Sequence, residues 1–272
     1  MKTELVDRII SSSTDRRKFL KRVGATGVGV AAATMMGSSF LGKAANASTA
    51  LTDTDILNFA LNLEYLEAEF YSMATYGSTL VELGVLTTAQ TSGPTTGGNM
   101  VPNFGSSPWA YLATALRENE IDHVQYLRTT LGSAAVKKPA INLDALGYGF
   151  SSVNSWLELA RQFEDLGVSA YLGAAPLITS KTYLSAAAAI LATEAQHSGS
   201  IREACITNGV TSPAVDSFDI PPTTKTPYDV NSSNALSIPR STAQVLNVIY
   251  GGGNCTGGFF PNGMNGVIVC QS

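Results

Sequence analysis

The chain contains only two histidines, and both occupy the same four-residue pattern. Residues 120–123 (EIDH) and 194–197 (EAQH) each place a glutamate three residues before the histidine. On a helix, this spacing puts the carboxylate and the imidazole on adjacent turns of one face. A single such pair is typical of an ordinary core or surface histidine. Because both histidines share the pattern on separate predicted helices, it indicates a metal site formed between helices.

Four long amphipathic patterns predict the helices that would carry these residues. The apolar residues recur with helical spacing, and they predict helices over 52–77, 107–132, 153–175 and 182–208. Thr52 is suited to cap the first helix, and Ser107 the second, with Pro108 at its first helical position. A short helix is also expected over 242–250. The predicted fold class is therefore all-α.

Regions without helical periodicity divide the chain into three predicted parts. A Gly-, Thr- and Ser-rich loop spans 78–106, which is long for a compact domain and suggests a functional flap or a decoration. Residues 48–209 are predicted to form the bundle with this loop after its first helix. Residues 210–272 form a Gly/Pro-rich, irregular C-terminal extension that we expect to pack on the bundle. Residues 1–47 have a different character, described below.

The first and third predicted helices repeat a second pattern. Glu64 and Glu164 each follow an aliphatic or aromatic residue, precede a leucine by two positions, and precede Tyr71 and Tyr171 by seven. Seven residues are two helical turns, so each tyrosine lies on the same stripe as its glutamate. The chain thus resembles two helical hairpins of one type, over 53–132 and 153–208.

Together the two patterns predict a cluster of four carboxylates and two imidazoles inside the bundle. Buried, unpaired carboxylates would be strongly destabilising, and two divalent cations would neutralise four of them. Surface ion pairs are the alternative, but the predicted helices contain few Lys or Arg. Carboxylate and imidazole ligands suit iron or manganese. The predicted metal ligands are Glu64, Glu120, His123, Glu164, Glu194 and His197.

At these residues the chain resembles the ferritin-like superfamily and, more narrowly, the exported ferritin-like proteins of bacteria that include desiccation-related proteins. The most distinctive stretch is 56–71 (ILNFALNLEYLEAEFY), and the resemblance covers about 53–209. It implies a ferritin-like four-helix bundle with two Fe or two Mn ions. Glu64 and Glu164 would be terminal ligands, Glu120 and Glu194 would bridge the metals, and each histidine would complete one metal's ligand set.

The resemblance also implies that Tyr71 and Tyr171 hydrogen-bond to ligands and orient them. The alternative for both is an ordinary half-buried tyrosine. Glu67 lies one turn from Glu64 and could be an extra ligand, although Gly167 occupies the corresponding position of the third helix. Glu69 is expected to be solvated. The long loop and the C-terminal extension would interfere with shell packing, so a homo-oligomer is possible but a 24-subunit cage is not expected.

The N-terminal 47 residues are predicted to be an export signal. They contain a basic segment with Arg16 and Arg17, a weakly apolar segment over 23–41, and a small-residue site over 45–47. These are the three parts of a secretory signal, and the arginine pair resembles a twin-arginine signal. A retained anchor or a buried helix would be the alternatives. The expected location is therefore periplasmic or secreted, with membrane contact only during export.

Charge and cysteine content narrow the remaining partners. Residues 48–272 contain nine Lys or Arg and eighteen Asp or Glu, and such an acidic body lacks the basic footprint of a nucleic-acid binder. Cys255 and Cys270 lie in the C-terminal extension of a protein expected to be exported, which favours a disulfide between them. A bond between Cys255 and Cys205 is the competing pairing.

Three functional hypotheses are compatible with this sequence. The first is a di-metal protein that reacts with O₂ or peroxide, with ferroxidase, peroxidase or catalase-like chemistry in oxidative or desiccation stress. The second is a non-catalytic metal-binding or structural protein that protects the cell envelope. The third is an oxidase of an organic substrate, with loop 78–106 shaping its pocket. Fold alone does not decide between them.

Overall fold

The computed structural model describes residues 51–271, and the predicted export signal lies outside them. The main helices are α1 (Asp53–Tyr76), α2 (Ala110–Leu131), α3 (Val153–Ala174) and α4 (Lys181–Asn208). A short helix α5 (Thr242–Ile249) follows. Strands β1 (Thr95–Thr96) and β2 (Ile141–Asn142) pair in parallel, with Thr95 opposite Ile141. In the described part of the chain, no helix is both long and apolar enough to span a bilayer.

The helix ends follow local sequence chemistry. Thr52 caps α1 as expected, and together with Asp55 it forms a capping box. Gly77 and Gly209 end α1 and α4 with φ values of 63°, a left-handed conformation that glycine adopts without steric cost. Helix α3 ends at Ala174, and the chain continues into a short 3₁₀ turn, Ala175–Leu177, that contains Pro176. The fourth helix begins one residue before the predicted start.

The prediction for the start of α2 was wrong. The expected cap, Ser107, lies outside the helix, which begins at Ala110 with Trp109 in the N-cap position. The Ser107 hydroxyl accepts a hydrogen bond from the Trp109 N–H, and its carbonyl accepts one from Ala110. These bonds close a turn containing Pro108 before the helix begins, a local alternative that serine side chains offer the backbone.

The four long helices form two hairpins, with α1 packed along α2 and α3 packed along α4. Helices α1 and α3 then bring the hairpins together through a buried aromatic layer. Phe70 of α1 lies edge-on to Phe163 of α3, with ring centroids 5.1 Å apart. Trp156 is fully buried and packs against Phe104 from the segment before α2. These large apolar contacts provide most of the driving force for the arrangement.

Residues 210–271 contact the bundle mainly through α3. Arg161 is fully buried, and its guanidinium lies 2.6 Å from both carboxylate oxygens of Asp219. Phe259 packs edge-on to Phe163, with centroids 5.0 Å apart. The expected disulfide between Cys255 and Cys270 is confirmed, and Cys205 is a free, buried thiol. The extension thus combines apolar contacts with a buried ion pair and a covalent crosslink.

Candidate metal centre

The structure brings together the six predicted ligand residues, which we call the ligand cluster, in the middle of the bundle. The four glutamates are completely buried, and the two histidine side chains are only 11% and 8% exposed. Helices α1 and α3 each contribute one glutamate, while α2 and α4 each contribute a glutamate and a histidine. The members are Glu64, Glu120, His123, Glu164, Glu194 and His197.

One half of the ligand cluster surrounds His123. Its Nδ1 lies 3.2 Å from Glu64 Oε2, 3.1 Å from Glu120 Oε2 and 3.2 Å from Glu194 Oε1. These four residues each offer one ligand atom, and all four atoms lie within 4.8 Å of one another. The half is therefore built from three of the four long helices, α1, α2 and α4.

The other half surrounds His197. Its Nδ1 lies 2.9 Å from Glu120 Oε1, 3.4 Å from Glu164 Oε2 and 4.0 Å from Glu194 Oε1. Glu120 thus directs one carboxylate oxygen to each histidine, and Glu194 also belongs to both halves. This sharing is the arrangement that two bridging carboxylates and two terminal carboxylates would have.

The ligand cluster fits metal ions better than it fits a hydrogen-bonded network. Within residues 51–271, no hydrogen bond reaches five of its buried atoms, although ionic partners are close. Metal–ligand bonds of about 2.0–2.2 Å place ligands at right angles about 3 Å apart, which matches most of the distances around the two histidines. Buried polar atoms normally have partners, so these atoms can bind metal ions. The five are Glu120 Oε1, Glu164 Oε2, Glu194 Oε1, Glu194 Oε2 and His197 Nδ1.

The electrostatics of the metal-free cluster favour retained protons. Burial raises the pKa of Glu120 from 4.5 to about 7, and it raises that of Glu194 well above its usual range. Burial alone would lower the pKa of His197, but the Glu164 and Glu120 carboxylates outweigh it and raise the value to about 11. Divalent cations would therefore displace protons as they bind, which makes metal uptake more favourable at higher pH.

The two predicted tyrosines contact the ligand cluster across the bundle. The Tyr71 hydroxyl of α1 donates a hydrogen bond to Glu164 of α3, and the Tyr171 hydroxyl of α3 donates one to Glu64 of α1. Both tyrosines are buried. Each hairpin therefore holds a glutamate of the other in place, so formation of the ligand cluster is coupled to the docking of α1 against α3.

A fifth carboxylate, Glu67, borders the ligand cluster. It is 5% exposed, and burial together with the Glu194 and Glu120 carboxylates raises its pKa well above the usual range. The lack of a side chain at Gly167 makes room for it. A Cβ at Gly167 would lie 2.9 Å from Glu194 Oε2 and 3.2 Å from Glu67 Oε1. Because Gly167 has no side chain, α3 can lie close to the carboxylates of Glu194 and Glu67.

The expectation that Glu69 is solvated was wrong. Its side chain is fully buried, accepts a hydrogen bond from the Leu80 N–H and lies 3.5 Å from Lys138 Nζ. Lys138 is itself 1% exposed and donates to Thr95 Oγ1. Helix periodicity could not reveal this role, because the partners come from loop 78–106 and from the segment before β2. Glu69 therefore anchors the long loop and lies outside the ligand cluster.

Comparison with known proteins agrees with this architecture. The family model for the ferritin-like domain matches residues 52–207. This chain belongs to the ferritin-like domain family. The matched segment of this ferritin-like protein runs from the cap of α1 almost to the end of α4 and includes every member of the ligand cluster. No curated protein matches the chain.

Proposed function

We propose that this ferritin-like protein is an exported dinuclear metal protein that holds two Fe or two Mn ions and reacts with O₂ or peroxide. The observation that carries the proposal is the ligand cluster, in which two buried Glu-x-x-His patterns share two carboxylates. Four ionised glutamates would balance two divalent cations, as in the dinuclear carboxylate proteins of ferritin-like bundles. The N-terminal pattern supports export, and the location would be periplasmic or secreted.

The metals, when bound, would supply the redox electrons and the coordination positions for oxygen species. Glu64 and Glu164 would each hold one metal, while Glu120 and Glu194 would hold both. Residues around the cluster exclude bulk water, because the four glutamates have no solvent exposure. The hydroxyls of Tyr71 and Tyr171 keep the terminal carboxylates in place and hold protons close to them.

The position of one cleft argues against an organic substrate bound there. A cleft of about 290 Å³ has about the size of the smallest ligand sites, but its walls come from α3, the segment before it and the C-terminal extension. Gln162, Phe163 and Leu166 line it from α3, whereas Glu164 points from a different face of that helix into the bundle. No residue of loop 78–106 lines this cleft. Oxidation of an organic molecule bound there would therefore need electrons to cross α3.

The test is metal-dependent turnover by the mature protein. Protein stripped of metal is reloaded with Fe²⁺ or Mn²⁺, and O₂ consumption and peroxide loss are followed. We expect activity with at least one metal, and loss of that activity in Glu120→Gln. Glu118→Gln is the matched control, because Glu118 lies on the same helix with 63% of its side chain exposed.

Two outcomes would contradict the redox proposal. Retained activity in Glu120→Gln would show that the reaction does not depend on the shared carboxylate. Metal binding without consumption of either oxidant would favour the second candidate, a non-catalytic metal-binding or structural protein for envelope stress. The size of any homo-oligomer is tested separately by light scattering, for which we expect an assembly smaller than a 24-subunit cage.

A further inference from the structure

The two histidines of the ligand cluster differ on the side that faces away from it. Nε2 of His197 lies 3.0 Å from Oδ1 of Asn119. Asn119 precedes Glu120 on α2, so its side chain crosses from α2 to the histidine of α4. Asn119 is exposed at the rim of the bundle, whereas His197 is 6% exposed. A surface amide thus contacts a buried ligand from outside.

The matching position of the other pattern offers no such contact. Thr193 precedes Glu194 on α4, but its hydroxyl donates to the Ala189 carbonyl of its own helix at 3.3 Å. The hydrogen bonds of His123 are made by Nδ1, to Glu64 and Glu120. Across the described chain, no protein hydrogen bond reaches Nε2 of His123. The pattern that the two hairpins share is therefore broken outside the ligand cluster.

This asymmetry has a direct consequence for metal binding. A histidine that binds a metal through Nδ1 must carry its proton on Nε2, and an acceptor at Nε2 fixes that tautomer and the ring orientation. Asn119 Oδ1 can accept the Nε2 proton whether Nδ1 carries a proton or a metal. The Nε2 contact with Asn119 can thus hold the His197 ring in one orientation before and after metal binding, whereas no protein group of residues 51–271 does the same at Nε2 of His123.

We propose that Asn119 is a positioning residue that makes the two metal positions unequal. The position at His197 binds metal more tightly and retains it, while the position at His123 fills second and exchanges more readily. This inference rests on the proposed dinuclear site and adds an order of filling to it. Outer hydrogen-bond partners of metal-binding histidines typically change metal affinity by about 10–100-fold, which sets the expected size of the effect.

Stepwise Co²⁺ binding to the metal-free protein tests the proposal. Calorimetry gives the two dissociation constants, and the visible absorption of Co²⁺ reports each ligand environment. Asn119→Leu removes the acceptor at similar size, and Asn119→Asp keeps an oxygen at the same position. Gln125→Leu is the matched control, because Gln125 is an exposed amide residue on the same helix.

The expected result is two unequal steps in the wild type. In Asn119→Leu we expect the tighter step to weaken by about 10–100-fold with a changed absorption spectrum, and the weaker step to keep its affinity. Asn119→Asp and Gln125→Leu should retain both constants. Equal steps in the wild type, unchanged binding in Asn119→Leu, or equal defects in Asn119→Leu and Asn119→Asp would overturn the inference. Absence of any Co²⁺ binding by the wild type would instead refute the dinuclear site itself.

Discussion

A single methyl group at Gly167 should affect folding and metal binding in opposite directions. Gly167 lies inside α3, and replacing a glycine in a helix interior by alanine typically stabilises a protein by about 1 kcal/mol. In a domain of this size, that gain corresponds to a rise in Tm of about 2–4 °C. The new Cβ, however, would lie 2.9 Å from Glu194 Oε2 and 3.2 Å from Glu67 Oε1.

The state of Glu194 decides whether this contact is costly. In the metal-free protein its carboxylate ends a flexible side chain and can rotate away, so Gly167→Ala should keep most of the helix gain. With metals bound, the same carboxylate would be fixed between them and could not move without loss of a ligand bond. Loss of an outer hydrogen-bond partner of a ligand typically weakens metal binding by about 10–100-fold. Displacement of the Glu194 carboxylate itself should weaken it by at least as much.

The assay compares Gly167→Ala with Gly199→Ala, which also adds a methyl group inside a helix but meets no atom within 4 Å. Thermal unfolding of both metal-free variants should show the same modest rise in Tm. Metal titration should then separate them, with wild-type affinity in Gly199→Ala and weakened affinity in Gly167→Ala. Equal metal affinity in the two variants would refute the placement of Gly167 against a metal-holding carboxylate.

Three further predictions concern protonation, the C-terminal extension and the tyrosines. In urea titrations, the free energy of unfolding of the metal-free protein should fall as pH rises from about 5 to about 9. The folded protein holds protons on Glu120 (pKa about 7) and His197 (pKa about 11) that the unfolded chain releases at lower pH. A free energy of unfolding that does not change with pH would contradict these retained protons. Arg161→Leu should lower the free energy of unfolding by about 3–5 kcal/mol, because it leaves the buried Asp219 carboxylate without its cation. A loss under about 1 kcal/mol in urea titrations would count against that ion pair. Tyr71→Phe should weaken metal binding by about 10–100-fold in calorimetric titrations, while the helical circular dichroism stays unchanged. Wild-type metal affinity in this variant would show that the Tyr71 hydroxyl does not orient Glu164.

The sequence was sufficient to predict the helices and the proximity of the six cluster residues. Local chemistry determines both: glycine ends α1 and α4, and the three-residue spacing puts each glutamate and histidine on one helical face. The boundary errors have local causes too. Ser107 was expected to cap α2, but its hydroxyl stabilises a preceding turn, and such competing hydrogen bonds are not distinguished by residue type alone.

Contacts between distant segments were beyond the reach of pattern analysis. The seven-residue spacing placed each tyrosine near the glutamate of its own helix, yet Tyr71 bonds to Glu164 on the other hairpin. The burial of Glu69 depends on Lys138, which lies 69 positions later in the chain. Asn119 carried no sequence signal, because its partner is recognisable only once α2 and α4 are placed together. Helical periodicity identifies a face, whereas the partner of that face follows from tertiary packing.

The central claim is that the ligand cluster holds two metal ions, and metal content per chain tests it most directly. The protein, expressed with its full N-terminal sequence, is purified and reloaded, and its metals are quantified beside Glu120→Ala/Glu194→Ala and the exposed control Glu118→Ala. We predict about two Fe or Mn ions per chain in the wild type and the control, as expected for a dinuclear carboxylate site. The double variant should be folded and almost free of metal, since it lacks both shared carboxylates. A wild type that stays metal-free after reloading, or a double variant with wild-type metal content, would contradict the account.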